Sequence, residues 1–184
     1  MNIFFLAIDI TENAQLYTLK HMIKIILEIA QMLYTAHHCA GTTEFQHKPY
    51  KMTHKNHPMS RWVRQHIQNY SYAVQLGLAL CYTYSAKYNK THACEKHLLW
   101  LQTHIPTVFD SSPIPHRLAY IHIPKGCTPV PLTLPSRFYD DDLLLAYRLY
   151  YIVEKQTLMK PEEKVYYIDH WNLRKRIPFA SVVL

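Results

Sequence analysis

The sequence predicts a mainly α-helical protein: a compact, single-domain bundle of three to four long helices. Long stretches repeat their apolar residues at helical spacing. The chain has only 3 Gly but 11 Pro, and most of the prolines lie between 105 and 139, which predicts one Pro-rich connection. A length of 184 residues suits one domain with a sizeable core, so residues 1–184 are predicted to form a single helical domain.

The chain begins with an apolar run at residues 2–8, which predicts either a short N-terminal strand or an extended segment packed on the core. The first long helix is predicted over about residues 12–37, with Thr11 or Asn13 as its cap. Apolar residues cover most of its circumference, so this helix should be largely buried.

One narrow polar stripe runs along the first long helix. Its members follow one another at spacings of three or four residues: His21, Lys24, Glu28, Gln31 and Thr35. A buried helix tolerates such groups only where they pair or line a wet cavity. The stripe is therefore either a thin solvent-facing strip or the wall of a ligand cleft.

The second long helix is predicted from Pro58 to about residue 88, because proline is well suited to the first turn and Asn56 or His57 can cap it. Its first turns carry Arg61 and Arg64. Arginines near a helix N-terminus suit phosphate binding, although a solvated polar face would have the same pattern.

The remaining elements are a helix at about 91–104, the Pro-rich connection at about 105–139 and a last long helix at about 140–158, capped by Asp140. The residues from 172 to 184 are predicted to form a basic C-terminal tail.

Composition indicates the partner and the compartment. The net charge of +7, with 15 Tyr, favours an anionic partner such as nucleic acid or a nucleotide. The P-loop and dinucleotide-binding glycine motifs are absent. The 4 Cys are widely spaced and indicate free thiols in a reducing compartment. The first residues are too short for a signal peptide or membrane span, so no membrane partner and no secretion are expected.

Two kinds of chemistry are compatible with the polar residues. His54 and His57 could bind a metal together with His21 and Glu28, but no second ligand pair has zinc-finger spacing, so no metal or cofactor is predicted. Alternatively, burial could lower the pKa of the Lys24 amine and make it a nucleophile toward a sugar C1′ through a Schiff base, with Glu28 as acid or base. The two could equally form an ordinary salt bridge one helical turn apart.

A nucleic-acid site would need basic groups for phosphates and aromatic groups for bases. The predicted phosphate ligands are Arg61, Arg64, Arg148 and Lys155. The predicted pocket residues are Tyr147, Tyr151, Trp62 and Asn56. For each aromatic residue, packing in the core is the alternative.

Four segments each have a distinct and specific pattern: K-H-x-x-K-x-I-L-E-x-A-Q-M-L-x-T-A-H at 20–37, T-H-x-N-H-P-x-x-x-W-V-R-x-x-x-x-N-Y at 53–70, Y-x-x-x-Y-x-K-x-H at 84–92, and A-Y-R-x-Y-Y-x-x-E-K at 146–155. With M-N-I-F at the start, this pattern resembles a family of small proteins of tailed phages and large DNA viruses that has no settled activity. The chain departs from that family where the pattern has a His-Cys pair and, just before the Lys-His pair, an acidic residue. Here those positions hold Tyr17-Thr18 and Leu19.

More distantly, the chain resembles the phage pyrimidine-dimer DNA glycosylases, which are also compact, basic and mostly helical. That resemblance implies a DNA partner and functional residues on a long early helix. Those enzymes use the α-amino group of residue 2, exposed by removal of Met, with a Glu nearby. Residue 2 is Asn2 here, and its bulk disfavours removal of Met1, so the resemblance leaves Lys24 as nucleophile or none.

The sequence thus predicts a virus-type protein that acts on DNA or nucleotides, as a base-excision-like DNA glycosylase or lyase. In this prediction Glu28 is the acid or base, Lys24 the nucleophile or a phosphate ligand, and His21, His54 and His57 assist. The alternatives are a non-enzymatic protein that binds nucleic acid or a host factor, and a metal-dependent hydrolase. The cytoplasm or nucleus of the host cell is the expected location.

Overall fold

The computed structural model describes residues 1–176, and these form a mainly helical structure. The helices are α1 (Ile10–Gln15), α2 (Leu19–Cys39), α3 (Pro58–Val63), α4 (Ile67–Tyr88), α5 (Glu95–Thr103), α6 (Leu143–Glu154) and α7 (Pro161–His170). Two short strands, β1 (Leu118–Ala119) and β2 (Val130–Pro131), pair antiparallel. Short 3₁₀ turns occupy Ser136–Phe138 and Gln156–Leu158. The mainly helical prediction is confirmed, but the described part has seven helices, and only α2 and α4 exceed 20 residues.

The first predicted helix is divided into α1 and α2, because side chains from its start hold the N-terminal segment. Asn13 does not cap a helix but accepts a hydrogen bond from Leu6 N at 2.9 Å and donates one to Phe4 O at 3.1 Å. The Tyr17 hydroxyl donates to Phe4 O at 2.7 Å. These contacts fix a turn between the helices, so the cap predicted at Thr11 or Asn13 is wrong: Asp9 caps α1 and Thr18 precedes α2.

Residues 1–7 form an extended segment with no strand pairing, which decides between the two predicted conformations. Ile3, Phe4, Phe5, Leu6 and Ala7 are all buried in the core. Their backbone is satisfied by side chains rather than by a neighbouring strand.

The second predicted helix is also divided, into α3 and α4. His57 caps α3, as predicted, because its Nδ1 accepts a hydrogen bond from Met59 N at 3.2 Å. The chain leaves the helix after Val63, and His66 caps α4 in the same way, with Gln68 N as donor.

The two longest helices, α2 and α4, pack antiparallel at the centre of the bundle. His37 near the end of α2 contacts Tyr70 near the start of α4, and Ile29 lies opposite Gly77. A Cβ at Gly77 would lie 3.2 Å from Ile29 Cγ2 and 3.0 Å from Leu98 Cδ2, so the absence of a side chain lets three helices meet closely.

The last predicted helix is shorter than expected. It begins after Asp142, whose carboxylate accepts from Leu144 N at 3.0 Å, whereas the predicted cap Asp140 accepts from Asp142 N at 2.9 Å. It ends at Glu154, and α7 follows, which the sequence reasoning had not predicted. The basic tail predicted at 172–184 is described only up to Arg176, and its remainder lies outside the described residues.

Within residues 1–176, no helix has both the length and the apolar character needed to cross a membrane.

Candidate functional site

A cleft of about 220 Å³ opens beside the polar stripe of α2. The N-terminal segment, α2, the start of α3, the connection and α6 with the residue after it all contribute to it. Its lining residues are Met1, Asn2, Phe4, His21, Lys24, Ile25, Glu28, His57, Thr133, Tyr150 and Lys155. We call it the Glu28 cleft. The first turns of the polar stripe form a wall of this cleft, which was one of the two interpretations of the stripe. Thr35, further along the stripe, is fully buried.

Glu28 is the carboxylate of the cleft, and only 12% of its side chain is exposed. Its Oε2 accepts a hydrogen bond from Asn2 N at 2.9 Å and lies 3.7 Å from the α-amino nitrogen of Met1. Its Oε1 lies 3.6 Å from Lys24 Nζ. One carboxylate thus faces two primary amines, which pair with it electrostatically.

The two amines differ in their surroundings. The Met1 side chain is buried, with 3% exposed, and Ser60 Oγ donates to its sulfur at 3.3 Å. The Lys24 side chain is 70% exposed at the mouth of the cleft. The burial on which the prediction of Lys24 as nucleophile depended is therefore absent.

Asn2 fixes the N-terminal segment against the floor of the cleft. Its Nδ2 donates to Thr133 O at 3.2 Å, and its Oδ1 accepts from Tyr147 OH at 3.1 Å and from Thr133 Oγ1. Because the same residue donates its backbone N–H to Glu28, this network also orients the carboxylate.

His21 is 5% exposed and packs edge-on against Phe4, with ring centroids 4.4 Å apart. Its Nδ1 lies 3.3 Å from the Tyr151 hydroxyl. Burial, followed by the nearby charges of Lys155 and Lys24, lowers its pKa to about 3. The ring is therefore neutral near pH 7 and can serve the cleft as a hydrogen-bonding group rather than as a cation.

His57 lines the opposite side of the cleft. Burial lowers its pKa to about 4, and the positive charge of the N-terminal amine contributes. Because Nδ1 accepts the Met59 N–H, the proton of the neutral ring is assigned to Nε2, which leaves an N–H donor for a ligand. The predicted helper His54 and the predicted pocket residue Asn56 are exposed and are not among the lining residues. His54 adopts a φ of 49° and bonds to Thr53 Oγ1.

Three of the four predicted phosphate ligands instead donate hydrogen bonds to backbone carbonyl groups of other segments. Arg61 donates to Pro113 O at 2.9 Å, Arg64 to Lys55 O at 2.6 Å, and Arg148 to Leu6 O at 2.8 Å. Arg64 also lies 3.8 Å from Asp110, and its side chain is 7% exposed. None of the three lines the Glu28 cleft, because each is directed toward a backbone carbonyl of another segment.

Lys155 does line the cleft, with its Nζ 5.3 Å from the ring centre of Tyr150. Tyr150 is the half-buried aromatic residue of α6 at this point, and the sequence reasoning missed it in favour of its neighbours. Tyr147 and Tyr151 are fully buried beneath the cleft and contact it through Asn2 and His21.

Trp62, the other predicted aromatic pocket residue, lies in the core rather than in the cleft. It is 0% exposed, packs edge-on against Phe5 and donates its Nε1–H to Thr128 O at 3.2 Å.

Sequence reasoning also missed Met1, Asn2 and Thr133. No local signal could have found Thr133, because it lies 131 residues from its partner Asn2. The aromatic spacing of α6 could have pointed to Tyr150.

No group of three or more His, Cys, Asp or Glu side chains within residues 1–176 is arranged to hold a metal ion. The donor geometry therefore gives the metal-dependent hydrolase no support.

No family model, curated protein or solved structure matches this chain. The resemblances to phage proteins and to pyrimidine-dimer glycosylases stay predictions, and the functional argument depends on the Glu28 cleft itself.

Proposed function

We propose that the protein acts on DNA or nucleotides at the Glu28 cleft, as a base-excision-like glycosylase or lyase. The observation that carries the proposal is the position of one largely buried carboxylate 3.6 and 3.7 Å from two primary amines. An amine beside a proton acceptor is the arrangement that Schiff-base chemistry needs.

The proposed reaction begins when one amine, as the free base, attacks C1′ of a nucleotide. The bond between C1′ and the nucleobase nitrogen breaks, and the base leaves with the electron pair and takes up a proton. The attacking nitrogen loses a proton to Glu28, which passes it to the ring oxygen O4′ as the C1′–O4′ bond breaks, while the leaving base takes its proton from solvent. The product is a protonated imine that water can hydrolyse. Lys155 and whichever amine does not react are suitably charged for the flanking phosphates.

The neutral histidines fit the same reaction. His57 offers an N–H donor, and His21 is held by Tyr151, so both can bind the leaving base or the sugar without adding positive charge. Tyr150 provides an aromatic face at the wall of the cleft, where an extruded base could stack.

Borohydride trapping tests the proposal, because it reduces an imine to a stable covalent adduct. The wild-type protein, incubated with duplex DNA that carries pyrimidine dimers or abasic sites, should give a trapped complex. Glu28→Gln should reduce its yield by about 100-fold or more, in the range typical of a lost acid–base group. Glu44→Gln, an exposed carboxylate elsewhere, is the matched control and should behave as wild type.

Peptide mapping of the adduct identifies the amine. We expect Lys24→Ala to retain the complex and the modified peptide to begin at Met1, because Lys24 lies at the mouth of the cleft whereas Met1 is fixed beside Glu28. Loss of the complex in Lys24→Ala would instead assign the nucleophile to Lys24. Absence of both a trapped complex and a cleaved strand in the wild-type protein would overturn the proposal.

A second candidate function is non-enzymatic binding of nucleic acid or a host factor. It is favoured by the hydrogen bond from Asn2 N to Glu28, which could serve only to hold the N-terminal segment on α2. This function predicts DNA binding that weakens steeply with salt and is unchanged in Glu28→Ala, with no strand product from either protein.

A further inference from the structure

A second surface with aromatic and basic character lies where α4 ends, beside the first turns of α2. The rings of Tyr84 and Tyr88 have centroids 5.3 Å apart, and the ring of His92 stands edge-on to Tyr84 at 5.4 Å. His92 Nδ1 accepts a hydrogen bond from Cys94 N, and the ring also bonds to the backbone of Ile23. His92 thus fixes this cluster to α2.

Apolar and charged groups are both exposed here. Ile23 is 41% exposed and Tyr88 is 37% exposed. Four exposed lysines belong to the same two helix ends: Lys20, Lys24, Lys87 and Lys90. We call these residues, together with Tyr84 and His92, the α2–α4 surface.

The charge of the α2–α4 surface is unbalanced. Among residues 1–176, Lys20, Lys87 and Lys90 take part in no ion pair, and only Lys24 is paired, with Glu28. The segment from 82 to 99 contains one acidic residue, Glu95, and one of its carboxylate oxygens is buried. The surface therefore presents mainly positive charge around the exposed ring of Tyr88 and the half-buried rings of Tyr84 and His92.

The α2–α4 surface is continuous with the Glu28 cleft, because Lys24 belongs to both. Ile23 precedes Glu28 by five residues on the same helix, which corresponds to roughly 8 Å along the helix axis and about 140° around it, and Lys24 lies between them on the helix surface. A nucleic-acid strand that follows the helix surface past Lys24 connects the two with a few nucleotides, since successive phosphates in an extended strand lie roughly 6–7 Å apart, about twice the 3.4 Å rise per strand in the duplex.

We propose that the α2–α4 surface binds the nucleic-acid strand adjacent to the reacting nucleotide, with Tyr88 stacking on a base and Lys87 and Lys90 contacting phosphates. An exposed aromatic ring among unpaired lysines is a combination that binds single-stranded nucleic acid. The inference depends on the proposed function for the identity of the partner, but it concerns binding and not the reaction.

Fluorescence anisotropy with a labelled single-stranded oligonucleotide tests the proposal on the full chain. Tyr88→Ala should weaken binding about tenfold, the value for one lost base stack, whereas Tyr88→Phe should bind like wild type. Lys87→Ala/Lys90→Ala should lower the slope of log K against log salt by about 1.4, for two lost phosphate contacts on a single strand. Tyr82→Ala is the matched control, because Tyr82 is 76% exposed on the same helix but on a different face.

The outcomes separate this proposal from the proposed function. If the wild type binds the oligonucleotide and the Tyr88 and lysine variants bind equally well, the α2–α4 surface is not the strand site, whatever the trapping experiment shows. If these variants bind weakly but the wild type traps no DNA, the α2–α4 surface is the strand site and the proposed reaction is refuted. A change in the sedimentation of Tyr88→Ala without nucleic acid, together with unchanged affinity, would identify an interface between copies and overturn the proposal.

Discussion

Asn2→Ala should destabilise the protein because Asn2 connects the N-terminal segment to two distant parts of the chain. The substitution removes the side-chain hydrogen bonds with Thr133 O, Thr133 Oγ1, Tyr147 OH and Ile3 N. A hydrogen bond of this type contributes about 0.5–1.5 kcal/mol net, so four of them correspond to a loss of about 2–6 kcal/mol in the free energy of unfolding. The Tyr147 hydroxyl keeps Thr133 Oγ1 as a partner at 3.3 Å, which argues against a larger loss.

A double-mutant cycle isolates the bond between Asn2 and Tyr147. Tyr147→Phe alone should cost about 1 kcal/mol, and the Asn2→Ala/Tyr147→Phe protein should lose about 1 kcal/mol less than the sum of the single losses. Urea unfolding followed by circular dichroism measures all four free energies. Strictly additive losses, or a loss below about 0.5 kcal/mol for Asn2→Ala, would refute the assignment of Asn2 as the anchor of the segment.

Three further predictions concern packing, pH and the arginines. Gly77→Ala should destabilise by about 1 kcal/mol, because the close contact with Leu98 exceeds the gain in helix propensity. His37, buried with its pKa lowered to about 4, should make unfolding easier as pH falls from about 6.5 to 4, by roughly 3 kcal/mol in total. Arg64→Ala should cost about 1–3 kcal/mol by releasing Lys55 O, yet leave the salt dependence of DNA binding unchanged.

Each of these predictions has its own control. In a Leu98→Ala background, Gly77→Ala should become stabilising, and a gain in the wild-type background would contradict the packing argument. The unfolded state binds the proton of His37 at a higher pH than the folded state, so His37→Gln should reduce the dependence of stability on pH between 4 and 6.5, while His21 and His57 keep their own contributions. If Arg64→Ala lowered the salt slope of binding and left the thermal stability unchanged, Arg64 would instead be a phosphate ligand.

Local sequence signals were sufficient for the helical class and for part of the cleft wall. The spacing of His21, Lys24 and Glu28 placed them on one stripe, and the cap at His57 followed from the proline after it. These properties depend on a few neighbouring residues, so no knowledge of tertiary contacts was required.

The helix interruptions and the internal arginines depend on distant partners. Asn13 lies inside α1 and bonds to Phe4 O, and Arg64 follows α3 and bonds to Lys55 O, so each helix ends within two residues of such a contact. Arg61 and Arg148 were likewise predicted to bind phosphate, but they donate to the carbonyl oxygens of Pro113 and Leu6, which lie 52 and 142 residues away in the sequence. The positions of these arginines along the sequence therefore did not reveal the groups that their side chains bind.

The position of Met1 beside Glu28 also affects how the protein should be handled. Any purification tag joined to Met1 would replace its ammonium group by an uncharged amide and would have to leave through the cleft. A protein prepared in this way would show no activity in the trapping experiment even if the proposal is right, because the tag would occupy the proposed ligand site. Assays of this chain should therefore carry the tag at the other end or release it without leaving extra residues.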